Sequence, residues 1–456
     1  MRISFLLAGL VFLVGCELDQ RKQDALFEEM PSEHTHITFQ NEIHYDKNFN
    51  IFRYRNFYNG GGVAIGDINN DGLADIFVTS NFDDNKLYLN KGNFEFEDIT
   101  DKAGIKGKHA WSTGATFADV NGDGLVDIYV CNSGNRTDET TGSKDDRANE
   151  LYINNGNLTF AEKATEYHLD DRGFGTHAAF FDYDKDGDLD MYLLNNSFIP
   201  INSLKDQNLR NQRDALGGHK FFRNDGTTFT DVSEQAGIYG SIIGFGLGIT
   251  VGDVNNDNWL DIYISNDFYE RDYLYINQKN GTFKESIEDQ MNHISASSMG
   301  ADIADMNNDG NLDIFVTDML PGDDRRLKTT STFESYEYFQ SKIAKDFYYQ
   351  YMRNMLHLNN GDGTFSEIGC LSGVQATDWS WGGLMFDADN DGYSDLYVCN
   401  GIYHDLINQD FIDFSASEIM QKMIATGKKE DMNVIIDKMP SIHVLNKMYR
   451  NRGDLR

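Results

Sequence analysis

The residues best placed to do chemistry in this chain are carboxylates. The pattern Asp, x, Asn or Asp, x, Asp, Gly, x, x, Asp occurs six times and offers side-chain oxygens at loop positions 1, 3, 5 and 9. The sets are Asp67, Asn69, Asp71 and Asp75; Asp119, Asn121, Asp123 and Asp127; and Asp182, Asp184, Asp186 and Asp190. Three more follow: Asp253, Asn255, Asp257 and Asp261; Asp305, Asn307, Asp309 and Asp313; and Asp387, Asp389, Asp391 and Asp395. Calcium takes six to eight oxygens in flexible geometry, and four such side chains plus the position 7 carbonyl supply most of them. These are hard ligands, unlike the imidazole and thiolate that select transition metals. Position 6 must turn through positive φ, and Gly72, Gly124, Gly187, Gly310 and Gly392 meet that need, with Asn258 in the fourth copy. About six structural Ca2+ sites are therefore expected. The four ligand positions carry twenty carboxylates in all; six divalent ions neutralise twelve charges and move the net charge from -34 to -22. Binding should relieve self-repulsion and stabilise the fold.

The same spacing removes these Asp pairs from any general acid and base argument, since ligation already accounts for it. There is no nucleophile elbow, Walker loop or Ser/His/Asp order, and the eleven His are scattered. The chain is therefore not expected to be an enzyme. With 73 Asp and Glu against 39 Lys and Arg, it repels phosphate backbones, and nucleic acid is excluded as a partner.

The loops need elements that hold them in register. Each is followed by an apolar, β-branched and aromatic run, and successive copies start 52, 63, 71, 52 and 82 residues apart. A unit of about 52 residues with insertions fits these gaps. Each unit has a second half, such as Leu87-Tyr88-Leu89-Asn90 with Phe96, or Leu274 to Asn277 with Phe283. Strand, acidic loop, strand and Asn/Gly hairpin predict four short antiparallel strands per unit, the blade of a β-propeller. Five residues before the first Asp stand Gly62, Gly114, Gly248, Gly300 and Gly382, as crowding near a central axis requires. The third copy has His177 there, read as a wider packing site.

These units resemble the FG-GAP or VCBS repeats of integrin-α-like propellers, with Phe245-Gly246-Leu247-Gly248 before Asp253 echoing the motif. The resemblance implies an all-β propeller with six recognisable calcium loops, a seven-bladed ring or part of one, and short helical insertions. At the N-terminus, an apolar run from Ile3 ends in Leu13-Val14-Gly15-Cys16. It is too short to span a membrane and resembles a bacterial lipobox with Cys16 as the lipidated thiol. Together these features resemble bacterial surface lipoproteins of the VCBS-repeat class, related to the cartilage acidic protein type. The expected organisation is a signal peptide over 1–15, an acidic tether over 16–33, and a propeller over 34–456 whose last blade is incomplete. Expected localisation is the bacterial outer membrane, surface-exposed, with an extracellular glycan or an envelope protein as partner. A polysaccharide-degrading enzyme built on a calcium-bearing propeller and a purely structural scaffold are the competing readings.

Cys131, Cys370 and Cys399 show no metal or redox spacing, and the copies place small residues where Cys131 and Cys399 stand. The fifth unit gains a helical stripe of Phe333, Tyr336, Phe339, Ile343 and Phe347, expected to pack onto the body. The sixth gains Phe411 to Pro440, where Ser415 and Glu418 predict a capping box. Arg452-Gly453-Asp454 falls where other copies turn a hairpin and is read as a turn. A missing last strand is expected after it, with residues 33–55 as one possible donor.

Overall fold

The computed structural model describes residues 26–46, 48–107, 111–134, 147–199, 208–268, 270–330, 334–426 and 432–455. Cys16 and the signal segment lie outside the described residues. Six antiparallel sheets stand around a common axis, each laid out in sequence order from the inside outwards. Their innermost strands are Val63–Gly66, Ser112–Ala118, Gly175–Phe181, Gly246–Gly252, Ala301–Ala304 and Ser380–Phe386. Sheets one to five have four strands each, and sheet six has three. The expectation of an all-β propeller holds.

Second strands such as Asp127–Asn132 and Asp261–Asn266 are buried along their whole length. Their β-branched and aromatic side chains fill the spaces between sheets rather than alternating with solvent. Five apolar cores result, one for each pair of successive sheets. In the first, Phe77, Leu87 and Ile99 of sheet one meet Ala115, Ile128 and Phe160 of sheet two. Near the axis the inner strands nearly touch: a Cβ on Gly62 would lie 2.7 Å from backbone atoms of Thr113 and Ala115. His177 breaks the glycine series by taking a half-buried place beside Gly114, and desolvation there lowers its pKa. Cys131 is buried in the second core, as a small strand residue should be.

The unequal gaps have one cause. Within a sheet, the acidic loop joins the first and second strands, and all the extra residues fall between the second and third. Those segments are 133–149, 196–219, 317–354 and 401–446, against 79–85 and 267–272 in the shortest units. The described residues of the insertions therefore share one face of the propeller and the acidic loops share the other.

Two expectations are corrected. Residues 33–55 add no strand to sheet six; Phe49, Tyr54, Phe57 and Tyr58 instead fold over the insertion face, packing on Trp111, Phe82, Phe198 and Ile402. The sixth insertion forms no capping box, because its helix starts four residues earlier, with a π-helical turn over Phe411–Ala416 running into Ser417–Thr426. Ser415 lies inside that helix.

At the entry to the third strand, Asn85, Asn149, Asn354 and Asn446 each accept a backbone N–H from the end of the second strand. Sheet four has Asp272 there, accepting from Asn266 N, Tyr263 and Ser298. Burial pushes its pKa up to about 7. An acid raised above its unfolded value of about 3.9 contributes stability that is complete below that value and lost as pH rises through 7. Asp272→Asn, which restores the residue of four of the other five copies (sheet three has His219), should therefore remove that loss. Its melting temperature at pH 8 is expected to exceed the parent's by about 2–4 °C, with no gain at pH 4.

Candidate metal centres

Each acidic loop is wound around its own carboxylates. In the first, Asp67 accepts N–H groups from Asp71 (3.1 Å) and Gly72 (2.7 Å), while Asp71 accepts from Leu73. Gly72 has φ 85°, and Asn258, its counterpart in the fourth loop, has φ 65°. The turn that the spacing required is therefore made in both forms.

Position 9 differs from the others, because it is a hub of the fold as well as a candidate ligand. Asp75, Asp127, Asp190, Asp261, Asp313 and Asp395 are all buried. One oxygen of each accepts the position 2 N–H, from Ile68, Val120, Tyr183, Val254, Met306 and Ala388 in turn. The other accepts the N–H of the Asn that ends or follows the third strand: Asn90, Asn154, Asn224, Asn277, Asn359 or Asn451. Burial pushes Asp127 and Asp313 up to about 6, Asp261 to about 7 and Asp190 to about 8. A nearby dication reverses this, since it favours the ionised form.

Those six Asn residues were missed as structural partners of the loops, although Asn recurs at that place in the sequence. The amides of five of them hold neighbouring sheets together, while that of Asn90 donates to Ala74 O of its own sheet. Asn154 donates to Ile68 O, Asn224 to Val120 O, Asn277 to Tyr183 O, Asn359 to Val254 O and Asn451 to Met306 O, at 2.6–3.1 Å. A ligand loop, the next sheet's third strand and the core between them thus form one mechanical unit.

The donor set fits a cation. Asp182, Asp184 and Asp190 bring carboxylate oxygens within 4.8 Å of one another, and so do Asp387, Asp389 and Asp395. In these two loops Asp184 Oδ1, Asp188 Oδ1 and Asp389 Oδ1 are buried with no hydrogen-bond partner. Burial, with Asp186 and Asp184 alongside, pushes Asp188 up to about 6. In the first, second and fifth loops position 3 is Asn, whose amide satisfies position 5 internally, as Asn69 does for Asp71 at 2.9 Å. The four-Asp loops lack that neutral brace.

The sixth loop carries a different one, whereas the corresponding Arg223 of the third pairs with Asp225 in its hairpin at 2.8 Å. Both have Arg immediately before the third-strand Asn, Arg223 and Arg450, where the other copies have Leu89, Ile153, Ile276 and Leu358. Arg450 lies 2.6 Å from Asp389 and 3.1 Å from Asp391. An exposed guanidinium competes modestly with a bound cation. Arg450→Leu is therefore expected to lower the calcium concentration for half-maximal filling of the sixth loop by about two- to fivefold, read by titration against a chromophoric chelator. Arg452-Gly453-Asp454 makes the hairpin turn expected of it, with Gly453 N donating to Asn451 as Gly156 N does to Asn154.

Residues 67–130, 136–193 and 253–316 match the FG-GAP-like repeat family. No curated protein matches the chain. Solved structures similar to it include an Agrocybe aegerita lectin that recognises non-reducing terminal N-acetylglucosamine, at 17% identity and TM-score 0.40. That match covers 76% of this chain and 77% of the lectin. A Bacillus licheniformis rhamnogalacturonan lyase, PL11, matches at 12% identity and TM-score 0.37, over 75% of this chain and 56% of the lyase. The V. cholerae biofilm matrix protein Bap1 matches at 13% and 0.30, over 67% of this chain and 38% of that protein. Six radial sheets, each built around a DxDxDG-type loop, together with the three matched segments, make the chain a β-propeller of FG-GAP-like repeats.

Proposed function

We propose that the protein is a calcium-bound interaction module of the bacterial cell envelope, anchored through lipid on Cys16, that holds an extracellular glycan on its insertion face. The observation that carries this reading is the division of labour between the two faces. All six candidate calcium loops lie on one, and all four long insertions with the N-terminal cap lie on the other. In repeat folds the face that gathers insertions is the one free to vary for binding. Calcium at the six loops then serves as the brace of the scaffold.

The fifth insertion supplies the chemistry for sugars. Its stripe was expected to pack down, and Phe347 does so, while Phe339 and Ile343 are half-buried. Phe333 lies outside the described residues. The helix Tyr336–Ala344 buries none of its residues, leaving Tyr336 72% and Tyr338 42% exposed. Phe339 packs 5.7 Å from Tyr351, which is 41% exposed and has the Arg353 guanidinium 5.6 Å from its ring. Open aromatic rings beside a fixed cation suit stacking on pyranose faces, with hydroxyls near a donor.

The nearby Arg353, His293 and Glu367 cluster supports binding rather than catalysis. Glu367 is buried, and its other oxygen accepts Gly369 N as Glu285 accepts Ile287 N and Asp231 accepts Ser233 N, so it is part of the repeat. Against the cost of burial, the His293 hydrogen bond, the Gly369 N–H and the Arg353 charge hold its pKa down to about 2. A carboxylate so tied is a poor proton donor or acceptor at neutral pH.

The test is a glycan array probed with the folded chain from Glu17 onward, in millimolar calcium and again after chelation. Selective binding, lost on chelation and weakened at least tenfold by Tyr351→Ala, is the expected result. Silence from the folded, calcium-loaded protein would move the partner to an envelope protein.

A further inference from the structure

The inner strands leave an opening on the propeller axis. Each runs from the insertion face towards its acidic loop, so the residues just ahead of the glycine series stand at the mouth on the insertion face. Gly61, Thr113, Thr176, Leu247, Met299 and Trp381, one from each sheet, ring that mouth. The N-terminal cap adds Asn56 and Asn59, and His177 completes the wall. The space they line is about 200 Å³. Drug-sized ligands occupy pockets of about 300 Å³ and more, so this one has room for a single sugar ring and not for a chain.

Its lining carries no formal charge at neutral pH, since desolvation lowers the pKa of His177. In a chain of net charge -34 that is a contrast. The pockets beside sheets one and three are lined by Asp83, Asp84, Lys86 and Asp98, and by Asp170, Asp171, Arg172 and Lys220. A hard cation needs more oxygens than two amides offer. An anion finds no guanidinium or ammonium in the axial pocket, inside a chain whose overall field repels it. The lining therefore selects a neutral ligand.

Several polar groups of the lining are already taken. Thr113 Oγ1 donates to Gly175 O at 2.8 Å and Thr176 Oγ1 to Gly246 O at 3.0 Å, so both hydroxyls join neighbouring sheets. Trp381 Nε1 donates to Gly401 O at 2.6 Å, and the indole stacks with Trp379, centroids 6.4 Å apart. What Trp381 offers a ligand is its ring, with Leu247 and Met299 alongside. Three polar side chains remain. Asn56 is 2% exposed, and its Oδ1 has no hydrogen-bond partner. With the Asn196 amide oriented to satisfy both of its ends, Asn56 Nδ2 donates to it at 2.7 Å, which fixes the Asn56 amide. Asn59 closes a turn, its N–H donating to Asn56 O at 3.1 Å. Neither its side-chain amide nor the His177 ring hydrogen-bonds to any described residue. His177 finds its place because Gly114 lacks a side chain: a Cβ there would lie 2.5 Å from Nδ1. Its neutral ring presents one donor and one acceptor.

We propose that the axial pocket holds one neutral pyranose ring, its C–H face against Trp381 and its hydroxyls bonded to His177, Asn56 Oδ1 and Asn59. A sugar hydroxyl both donates and accepts, so it matches this mixed set and gives the buried Asn56 oxygen the partner it lacks. The proposal rests on the glycan reading above and assigns that glycan an uncharged unit seated on the axis. The pocket and the fifth insertion are joined through one carboxylate. Asp318 accepts the N–H of Arg353, two residues past Tyr351, at 3.1 Å, and that of Ser297, two residues before Met299, at 3.2 Å. Units beyond the axial one therefore have the aromatic rings of that insertion on the same face.

The test is saturation-transfer NMR on the chain used for the array, in millimolar calcium. The neutral probes are the methyl glycosides of glucose, galactose and mannose, and the charged ones are glucuronate and glucosamine. At least one neutral probe is expected to bind, and neither charged sugar; rejection of both signs reports the pocket rather than the charge of the whole chain. His177→Gly, which restores the residue of the other copies, should weaken binding about tenfold, the loss expected of one hydrogen bond. Asn59→Ala should do the same, and it decides alone if His177→Gly does not fold. No binding of any neutral probe, equal binding of the charged sugars, or unchanged binding in the folded variants would overturn the proposal and leave a channel that holds water. The array separates this from the broader reading. Array binding that His177→Gly leaves intact overturns the axial site alone, whereas monosaccharide binding that depends on His177 under a silent array supports it.

Discussion

Chelating calcium should lower the melting temperature of the protein by about 10 °C or more. Without cations, the four ligand positions of the six loops hold twenty carboxylates in a chain of net charge -34, and buried oxygens such as Asp184 Oδ1 and Asp389 Oδ1 have no partner. A ligand present at a hundred times its dissociation constant contributes about 2.7 kcal/mol per site, and six loops act together. The loops also adjoin every core, because position 9 and the Asn clasp are joined through the third strand. Loss of the ion therefore loosens contacts between sheets as well as within them. Screening and ligation separate cleanly: molar sodium chloride should restore part of the loss by weakening repulsion, and only a divalent cation should restore the rest. Differential scanning calorimetry in calcium, in chelator and in chelator with salt reads all three.

The second large effect concerns position 9. Asp261→Ala leaves Val254 N and Asn277 N, bound at 3.0 and 2.8 Å, without acceptors inside the fold. Each stranded buried donor costs about 1–3 kcal/mol, so a loss of about 2–6 kcal/mol is expected with or without metal. Asp257→Ala, at position 5 of the same loop, removes a candidate ligand whose hydrogen bonds lie within the loop and whose one contact beyond it is a half-exposed ion pair with Lys279 at 3.2 Å. Its cost should be pronounced in calcium and small in chelator. Urea unfolding of both variants under both conditions gives the comparison, and equal behaviour of the two would contradict the separate roles assigned to them.

Much of this was legible in the sequence for a physical reason. A loop that must present oxygens at fixed spacing and turn through positive φ leaves few choices of residue, so Asp67 to Asp75 and its five copies announce themselves. Two-residue periodicity was weak, since sheets covered on both faces need no polar side, yet the repeat itself gave the strand order. The insertions could be counted from the gaps but not assigned to one face, because that depends on which strand connection they enter. Ser415 and Glu418 have the right spacing for a capping box, and tertiary packing began the helix at Phe411 instead. The clasping role of Asn154 and its counterparts was hidden because their partners are carbonyls of a neighbouring unit, up to 145 positions away.

The central claim is that the repeated acidic loops are calcium sites, and direct stoichiometry tests it most simply. Protein freed of metal by chelation and dialysis, then equilibrated with radioactive calcium, should retain about six ions per chain. Asp186→Ala and Asp391→Ala together should reduce that by about two, while Tyr351→Ala leaves it unchanged. Retention of no calcium by the folded chain would contradict the account.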